Sequence, residues 1–516
     1  MAKRFFAGLG TGYIVLIANA VMMIILMPFF LSHLGEEMTG IYIMVAGLAN
    51  VINYGIGWLA ETSSVVLSSR SQANKKNYLL RPIYRFQQLL FGTYGLFICA
   101  ILLIAGYLLP HFWNASSPEN LRDVQISLYL FGINYVVYLL HNGDQSFLFS
   151  QLRINTSNGL RILYQLVFFG LTILFLQLHP HLYSVFLAQL VTTILLSFAS
   201  LLILKQYQLN WWQWARPRRI LWRAILMRTG GPIAGFAALW GIMMYADTVL
   251  VGFLLGPAAA AQYFAGTKIA ETIALLIMRI SEMAHPYFAR TQKNAQHRKI
   301  LYLQLNRLLL FLTLAAAIGY AYFGEMVMHV WLGDNAPELP PELFWLAGIA
   351  IIFRVAIKFE YNVVISLQAI QQLLKILFAE TLIRISLLLF CVHSFGLMGV
   401  PLSLVLAYLL GLYWIVKYKT IQIVGMTVFQ ILSGLLVPVL IAFLCFAVWW
   451  AVQAVIWPLG YDLVDWKTAV LPALMLAVSF ALLPLALWKK FPVFDYKELF
   501  GLIDRLGKAN LSKQKI

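Results

Sequence analysis

Arg354 and Lys358 stand one helical turn apart inside PELFWLAGIAIIFRVAIKFEYNVVIS, a stretch apolar enough to cross a bilayer, and Tyr361 follows on the same face. A charge at the centre of a membrane-spanning helix costs on the order of 3 kcal/mol, so it survives where it meets a partner or lines a polar cavity. Two like charges with no acidic residue on their own helix face suit an anion such as a phosphate or carboxylate. Nearby stretches carry more charge. Lys268, Glu271, Arg279 and Glu282 share one face of residues 262–284, and Glu380 and Arg384 lie one turn apart in 373–394. Their i, i+3 and i, i+4 spacings fit intrahelical ion pairs equally well, and Arg279 and Glu282 are close enough to a span end to snorkel. The residues proposed to line an anion-binding site are Arg354, Lys358, Lys268, Arg384, Arg279 and Tyr361, with Asn50 and Asn53 from the first half of the chain.

The first half carries polarity of a different kind. Asn50, Asn53, Tyr54, Gly57, Glu61, Ser64 and Ser68 fall within about 100° of one another on a helical projection, a polar stripe that should face a cavity. Asn134, Tyr138, His141 and Gln145 form a comparable stripe, with Asp144 on its flank. Intramembrane carboxylates are candidates for proton or sodium coupling, here Glu61, Asp144, Asp247 and Glu271.

The elements that position these residues follow from composition. The chain has 516 residues, of which 61% are hydrophobic and 11% charged, with a mean hydropathy of +0.80. Ordinary soluble proteins are about half apolar and about a quarter charged, so the excess apolar surface faces lipid. The fold class is an all-α polytopic membrane protein. At roughly 20 apolar residues per span, about fourteen spans are expected, near 10–31, 40–67, 86–109, 125–149, 160–178, 183–204, 230–254, 262–284, 303–331, 342–366, 373–394, 397–416, 430–456 and 468–488. The apolar segment after Lys3 and Arg4 is too long for a signal peptide and lacks a cleavage site. The net charge of +17 does not point to nucleic acid, because the cations track one side of the membrane. They concentrate between Arg70 and Arg85, between Lys205 and Arg228, between Arg290 and Lys299, at Lys417 and Lys419, and in the tail. The loops of the opposite side hold only Arg122 and Lys467. Both termini are therefore expected in the cytoplasm.

A repeat organises the spans. Residues 230–271, GGPIAGFAALWGIMMYADTVLVGFLLGPAAAAQYFAGTKIAE, repeat the hairpin that begins near Leu9, with Gly10 matching Gly231, Met22 and Met23 matching Met243 and Met244, Gly35 matching Gly256 and Tyr42 matching Tyr263. Both hairpins turn on Leu-Gly, and Tyr42 and Tyr263 enter the second arms. HFWNASSPE at His111 returns as HVWLGDNAPE at His329. Because each half has six spans, the halves are parallel repeats related by an axis along the membrane normal. The expected organisation is a six-helix bundle over 1–205, an amphipathic interfacial linker over 206–228 rich in Trp and Arg, a second six-helix bundle over 229–419, two additional spans within 420–490, and an amphipathic cytoplasmic tail over 491–516.

Enzyme chemistry finds no support. GLGTG at Gly8 follows no strand, and no Walker sequence, zinc spacing or nucleophile elbow occurs. Cys99, Cys391 and Cys445 lie in apolar spans without metal-ligand spacing. His111, His179 and His329 sit at span ends, and Asn114-Ala-Ser116 is a short acceptor sequon. No cofactor or metal is expected.

PFFLSHLGEEMTGIYIMVAGLANVINYGIG and YADTVLVGFLLGPAAAAQYFAGTKIAE resemble the polysaccharide transporter and O-antigen flippase branch of the multidrug/oligosaccharidyl-lipid/polysaccharide exporter superfamily. The resemblance covers the first twelve spans. It implies two six-helix bundles around a central cavity that opens alternately to each side, and carriage of an undecaprenyl-pyrophosphate-linked oligosaccharide to the outer leaflet of the bacterial inner membrane for surface polysaccharide or lipopolysaccharide biosynthesis. A polysaccharide polymerase and glycosyltransferases would be partners, along with membrane lipids; nucleic acid would not. Where the family often has an arginine after the glycines of the second span, this chain has Glu61. Two alternatives are a cation-coupled multidrug exporter of the same superfamily, which would favour acidic cavity walls, and a lipid II flippase. A membrane-embedded glycan polymerase or ligase would need a longer external loop than this chain offers.

Overall fold

The computed structural model describes residues 2–73, 80–112, 117–150, 153–205, 231–291, 294–367, 369, 371–456 and 472–480. The linker over 206–228, the tail over 491–516 and most of the span at 468–488 lie outside the described residues. So do the side chains of Glu61, Ser64 and Ser68, although their backbone is helical.

No strand occurs among the described residues. In lipid the backbone must satisfy its own hydrogen bonds, which leaves helices as the solution for a chain with this apolar pattern. The helices are α1 (Ala2–Ala73), α2 (Leu80–Phe112), α3 (Pro118–Ser150), α4 (Ile154–Leu178), α5 (Leu182–Leu204), α6 (Gly231–Leu255), α7 (Pro257–Arg290), α8 (Ala295–Leu332), α9 (Pro341–Ser366), α10 (Gln371–Phe395), α11 (Gly399–Ala407), α12 (Tyr413–Val424) and α13 (Val428–Ile456). Residues 472–480 are also helical. Nine helical stretches among the described residues are long and apolar enough to cross a membrane. Large apolar side chains point outward along them, as with Phe253 at 75% and Phe429 at 79% exposure, the pattern of a lipid-facing surface rather than a water-facing one. The helices carrying Lys268, Glu271, Arg354 and Lys358, α7 and α9, are not among the nine.

The repeat has a backbone signature. α1 breaks at Gly35, with φ 75° and ψ 174°, and Gly256, which precedes α7, has φ 100° and ψ 162°. Both conformations lie in a region open essentially to glycine alone. The Leu-Gly turns that match in sequence therefore match in conformation, with Pro257 at the first helical position after the second one.

The chain divides into two compact units, Met1–Gly252 and Phe253–Ile516. In the first, α3 packs against α2 and α5, and α4 against α5 and α1. Phe131 packs edge-on to Phe186, which is also close to Tyr42. Asp123 on α3 accepts hydrogen bonds from the backbone N–H groups of Leu182 and Tyr183, both at 2.8 Å. This carboxylate satisfies the start of α5, where free N–H groups and the helix dipole favour an anion. The second arm of α1 touches α6 through Tyr54 and Tyr245, whose rings are 5.5 Å apart.

In the second unit α9 is the central helix, packed against α7, α8, α11 and α12. Gly348 permits the approach to α8: a Cβ there would lie 2.6 Å from the Ala317 carbonyl oxygen. α13 packs on the far side of α8. Trp449, buried to 1%, joins Phe323, Met326 and Leu476 in an apolar cluster and donates its indole N–H to the Pro472 carbonyl at 3.1 Å. Arg307 of α8 donates to the Gly434 carbonyl at 2.6 Å, a polar tie between the same two helices.

Candidate functional site

Of the eight residues proposed to bind an anion, six fall on α7, α9 and α10 of the second unit. Arg354 Nη1 lies 3.3 Å from Glu271 Oε1 of α7. Glu271 Oε2 in turn lies 3.9 Å from Lys268 Nζ, whose ammonium stands 4.8 Å from the Phe264 ring centroid. Glu271 therefore bridges the two cations, one carboxylate oxygen toward each. Glu271 and Arg354 line a small recess completed by Tyr263, Thr267, Ala347 and Pro401. The small side chains at Ala347 and Pro401 leave room beside the charges. Lys358, partly buried, follows one turn along α9.

Tyr361 turns away from this group into a buried neighbourhood on α10, where its hydroxyl donates to Glu380 Oε2 at 2.5 Å. Glu380 and Arg384 are both buried, at 0% and 5% exposure, and Tyr408 stands near both of them and near Arg354. Tyr408 opens the segment Tyr408–Leu412, a π-helical turn with non-helical backbone at Gly411 that separates α11 from α12. Such interruptions occur often at functional sites. Arg279 is elsewhere on α7. It pairs with Glu282 at 2.6 Å, with both side chains more than a third exposed, as its i, i+3 spacing suggested.

The polar stripes of the first unit resolve into hydrogen-bonded clusters. Asn53 accepts from the Tyr135 hydroxyl at 2.7 Å, and Asn50 is partly buried. Asp144, fully buried, accepts from the Tyr84 hydroxyl at 2.6 Å and from Gln88 Nε2 at 2.7 Å. His141 lies 3.2 Å from Ser200 Oγ and 3.3 Å from Gln145 Nε2, and Ser157 donates to Gln145 Oε1 at 2.6 Å. Asp247 on α6 is buried at 5% exposure.

One charged group has no counterpart in the sequence reading. Lys417, counted there among loop cations, sits in α12 at 5% exposure, with its ammonium 2.6 Å from Glu360 Oε1. Tyr302 of α8 donates to the same carboxylate, at 2.9 Å to Oε2. Neither Glu360 nor Lys417 lines the recess, so this pair is separate from it. The two partners are 57 residues apart, and no spacing rule connects them.

The helical architecture is that of known membrane transporters. The structure of a lipid II flippase, MurJ, in an inward closed conformation superposes with a TM-score of 0.67 at 11% identity, covering 94% of this chain and 99% of that one. A multidrug resistance MATE family transporter of the MOP superfamily, in its inward-facing conformation, gives 0.65 at 15% identity, covering 79% and 94%. A MOP superfamily transporter from Pyrococcus furiosus gives 0.54 at 14% identity, covering 82% and 95%. Coverage of 94% leaves too little of the chain unmatched to exclude everything from Val428 onward, so the flippase fold takes in C-terminal helices. No curated protein matches the chain in sequence. The chain thus shares its helical fold with these membrane proteins. Residues 83–338, just under half of the chain, match the family model described as "Polysaccharide biosynthesis protein".

Proposed function

We propose that the protein flips an undecaprenyl-pyrophosphate-linked oligosaccharide across the bacterial cytoplasmic membrane for surface polysaccharide assembly. Both termini would lie in the cytoplasm, and the bundles at 1–205 and 229–419 would rock about the linker at 206–228 to expose a central cavity to each side in turn. The two helices within 420–490 would face lipid beside the second bundle, and the tail at 491–516 would lie on the inner surface. The observation that supports the reading is the recess lined by Arg354 and Glu271, with Lys268 on the other oxygen of Glu271 and Lys358 one turn along from Arg354. A guanidinium in a partly desolvated wall recognises phosphate oxygens in pairs, and low dielectric strengthens the attraction. Arg384, Arg279, Tyr361, Asn50 and Asn53 complete the proposed cargo contacts. With no nucleotide motif in the sequence, the drive would be an ion gradient or the membrane potential, the latter worth about 2.3 kcal/mol per charge per 100 mV. Glu61, Asp144, Asp247 and Glu271 are the proposed coupling carboxylates.

The test is complementation of a strain lacking this gene. Arg354→Ala and Lys358→Ala should each abolish surface glycan while the protein stays inserted and abundant by immunoblot. Full restoration of glycan by both variants would sink the anion site. The coverage of the lipid II flippase structure favours one second reading, transport of lipid II itself. Rescue of cells depleted of their lipid II flippase, with surface glycan unaffected by deletion of this gene, would establish that reading instead.

A further inference from the structure

Glu271 stands where an anionic cargo would have to stand. Its Oε1 faces Arg354 at 3.3 Å and its Oε2 faces Lys268 at 3.9 Å, so the carboxylate already fills the position between the two cations. It keeps 23% side-chain exposure against 10% for Arg354, and both border the recess, so the carboxylate is the more open of the two while the guanidinium is mostly enclosed. Among the described residues, the charged groups around Glu271 include Lys268 on its own helix and Arg354 from α9, with Lys358 a turn further along. α8 contributes the Tyr320 phenol, whose hydroxyl is committed to the Gly266 carbonyl at 2.6 Å. Tyr263 lines the recess from α7.

Resting on the anion-site reading of Arg354, we infer that Glu271 is a built-in counter-ion, which blocks Arg354 while ionised and yields it to a diphosphate-class anion once a proton neutralises the carboxylate. Two anions at close range on one guanidinium repel each other, which favours the neutral form of the one that can take a proton. Protonating Glu271 removes the negative charge that faces Arg354 and Lys268, so anion affinity rises. By reciprocity the bound anion raises the proton affinity of Glu271 by the same factor. Cargo and proton are then linked at a single side chain, without a relay between distant sites.

The experiment uses the full chain in nanodiscs of zwitterionic lipid, with inorganic pyrophosphate as the probe, at mildly acid and at neutral pH. Glu271→Gln should bind pyrophosphate at neutral pH at least about tenfold more tightly than wild type, the effect of removing one partly screened charge. It should also lack the gain that wild type shows on acidification; comparing the two cancels the titration of the probe. Because a variant can fail to fold, sulfate is added to weakly buffered wild type, which should take up protons on binding although sulfate binds none in this range. A Glu271→Gln protein no tighter than wild type, an unchanged pH dependence, or sulfate binding without proton uptake would each overturn the inference. Pyrophosphate binding erased by phosphatidylglycerol in the nanodisc would assign the site to bulk lipid headgroups and overturn it as well. Arg354→Ala separates the two levels. If it still binds pyrophosphate, the anion site itself falls; if it does not, and Glu271→Gln behaves as wild type, only the counter-ion role falls.

Discussion

The two compact units differ in the partners of several buried polar groups. Inside the first, Asp144 accepts from Tyr84 and Gln88, Asn53 accepts from Tyr135, and His141 lies against Ser200 and Gln145. Inside the second, carboxylates meet cations directly: Glu271 meets Arg354 and Lys268, and Glu360 meets Lys417. Neutral donors fix a group in place without supplying a counter-charge. Paired charges are costlier to bury, and a change of partner moves a whole unit of charge. The unit built on ion pairs is therefore the one suited to trading an internal anion for an external one.

That contrast is broken most severely at Lys417. Lys417→Met strands the Glu360 carboxylate at 1% exposure with only the Tyr302 hydroxyl as donor. An uncompensated buried charge costs about 3–5 kcal/mol, so equilibrium unfolding in SDS should show a loss of that order. Replacing both partners, Lys417→Met with Glu360→Met, should recover most of it, because the removed charges no longer need each other. A double variant as unstable as the single one would mean that the pair does more than neutralise itself.

The glycine turns probe what the units share rather than how they differ. Gly35 and Gly256 have open space where a Cβ would go, so steric crowding is not the issue. Their backbone angles are. Gly35→Ala and Gly256→Ala should each cost about 1–3 kcal/mol in the same unfolding assay, and by similar amounts. Unequal losses would show that the repeat is conserved in shape but not in strain.

The apolar runs and the repeat were legible without coordinates because each is local: a helix reports itself through consecutive residues, and the Leu-Gly turns report themselves through matching segments. The Arg279–Glu282 pair was legible for the same reason, at one helical turn. Arg354–Glu271 and Lys417–Glu360 were not, since the partners are 83 and 57 residues apart on different helices. Periodicity places a charge on a helix face but does not say which neighbouring helix that face meets. Lys268–Glu271 shows the limit clearly: the spacing predicted the pair, yet Glu271 sits closer to Arg354 than to Lys268. The polar stripe through Asn53 was legible as a stripe, and its bond to Tyr135 on α3 was not.

Asp144 tests the first unit on its own terms. Asp144→Asn keeps an oxygen for Tyr84 and Gln88 but removes the charge that strengthens both bonds, and charge-assisted bonds are roughly twice as strong as neutral ones. The expected loss is about 1–2 kcal/mol, well below that for Lys417→Met. A loss as large as that of Lys417→Met would show that the first unit also relies on a compensated charge at this position, and the contrast between the units would narrow.

Arg279 marks the weak end of the same scale and sharpens what burial contributes. Its bond to Glu282 at 2.6 Å is as short as that of Lys417 to Glu360, yet its side chain is 42% exposed and that of Glu282 36%. If distance governed, the two pairs would be worth the same. If desolvation governs, the exposed pair is screened and each partner can be solvated when the other is removed, so Arg279→Ala should cost less than about 1 kcal/mol and Glu282→Ala no more. The unfolding transition of both variants should overlay wild type closely. A loss at Arg279 approaching that at Lys417 would place the Arg279–Glu282 pair in an environment as enclosed as the interior of the unit, and the ordering of charges by burial in this unit would have to be redrawn.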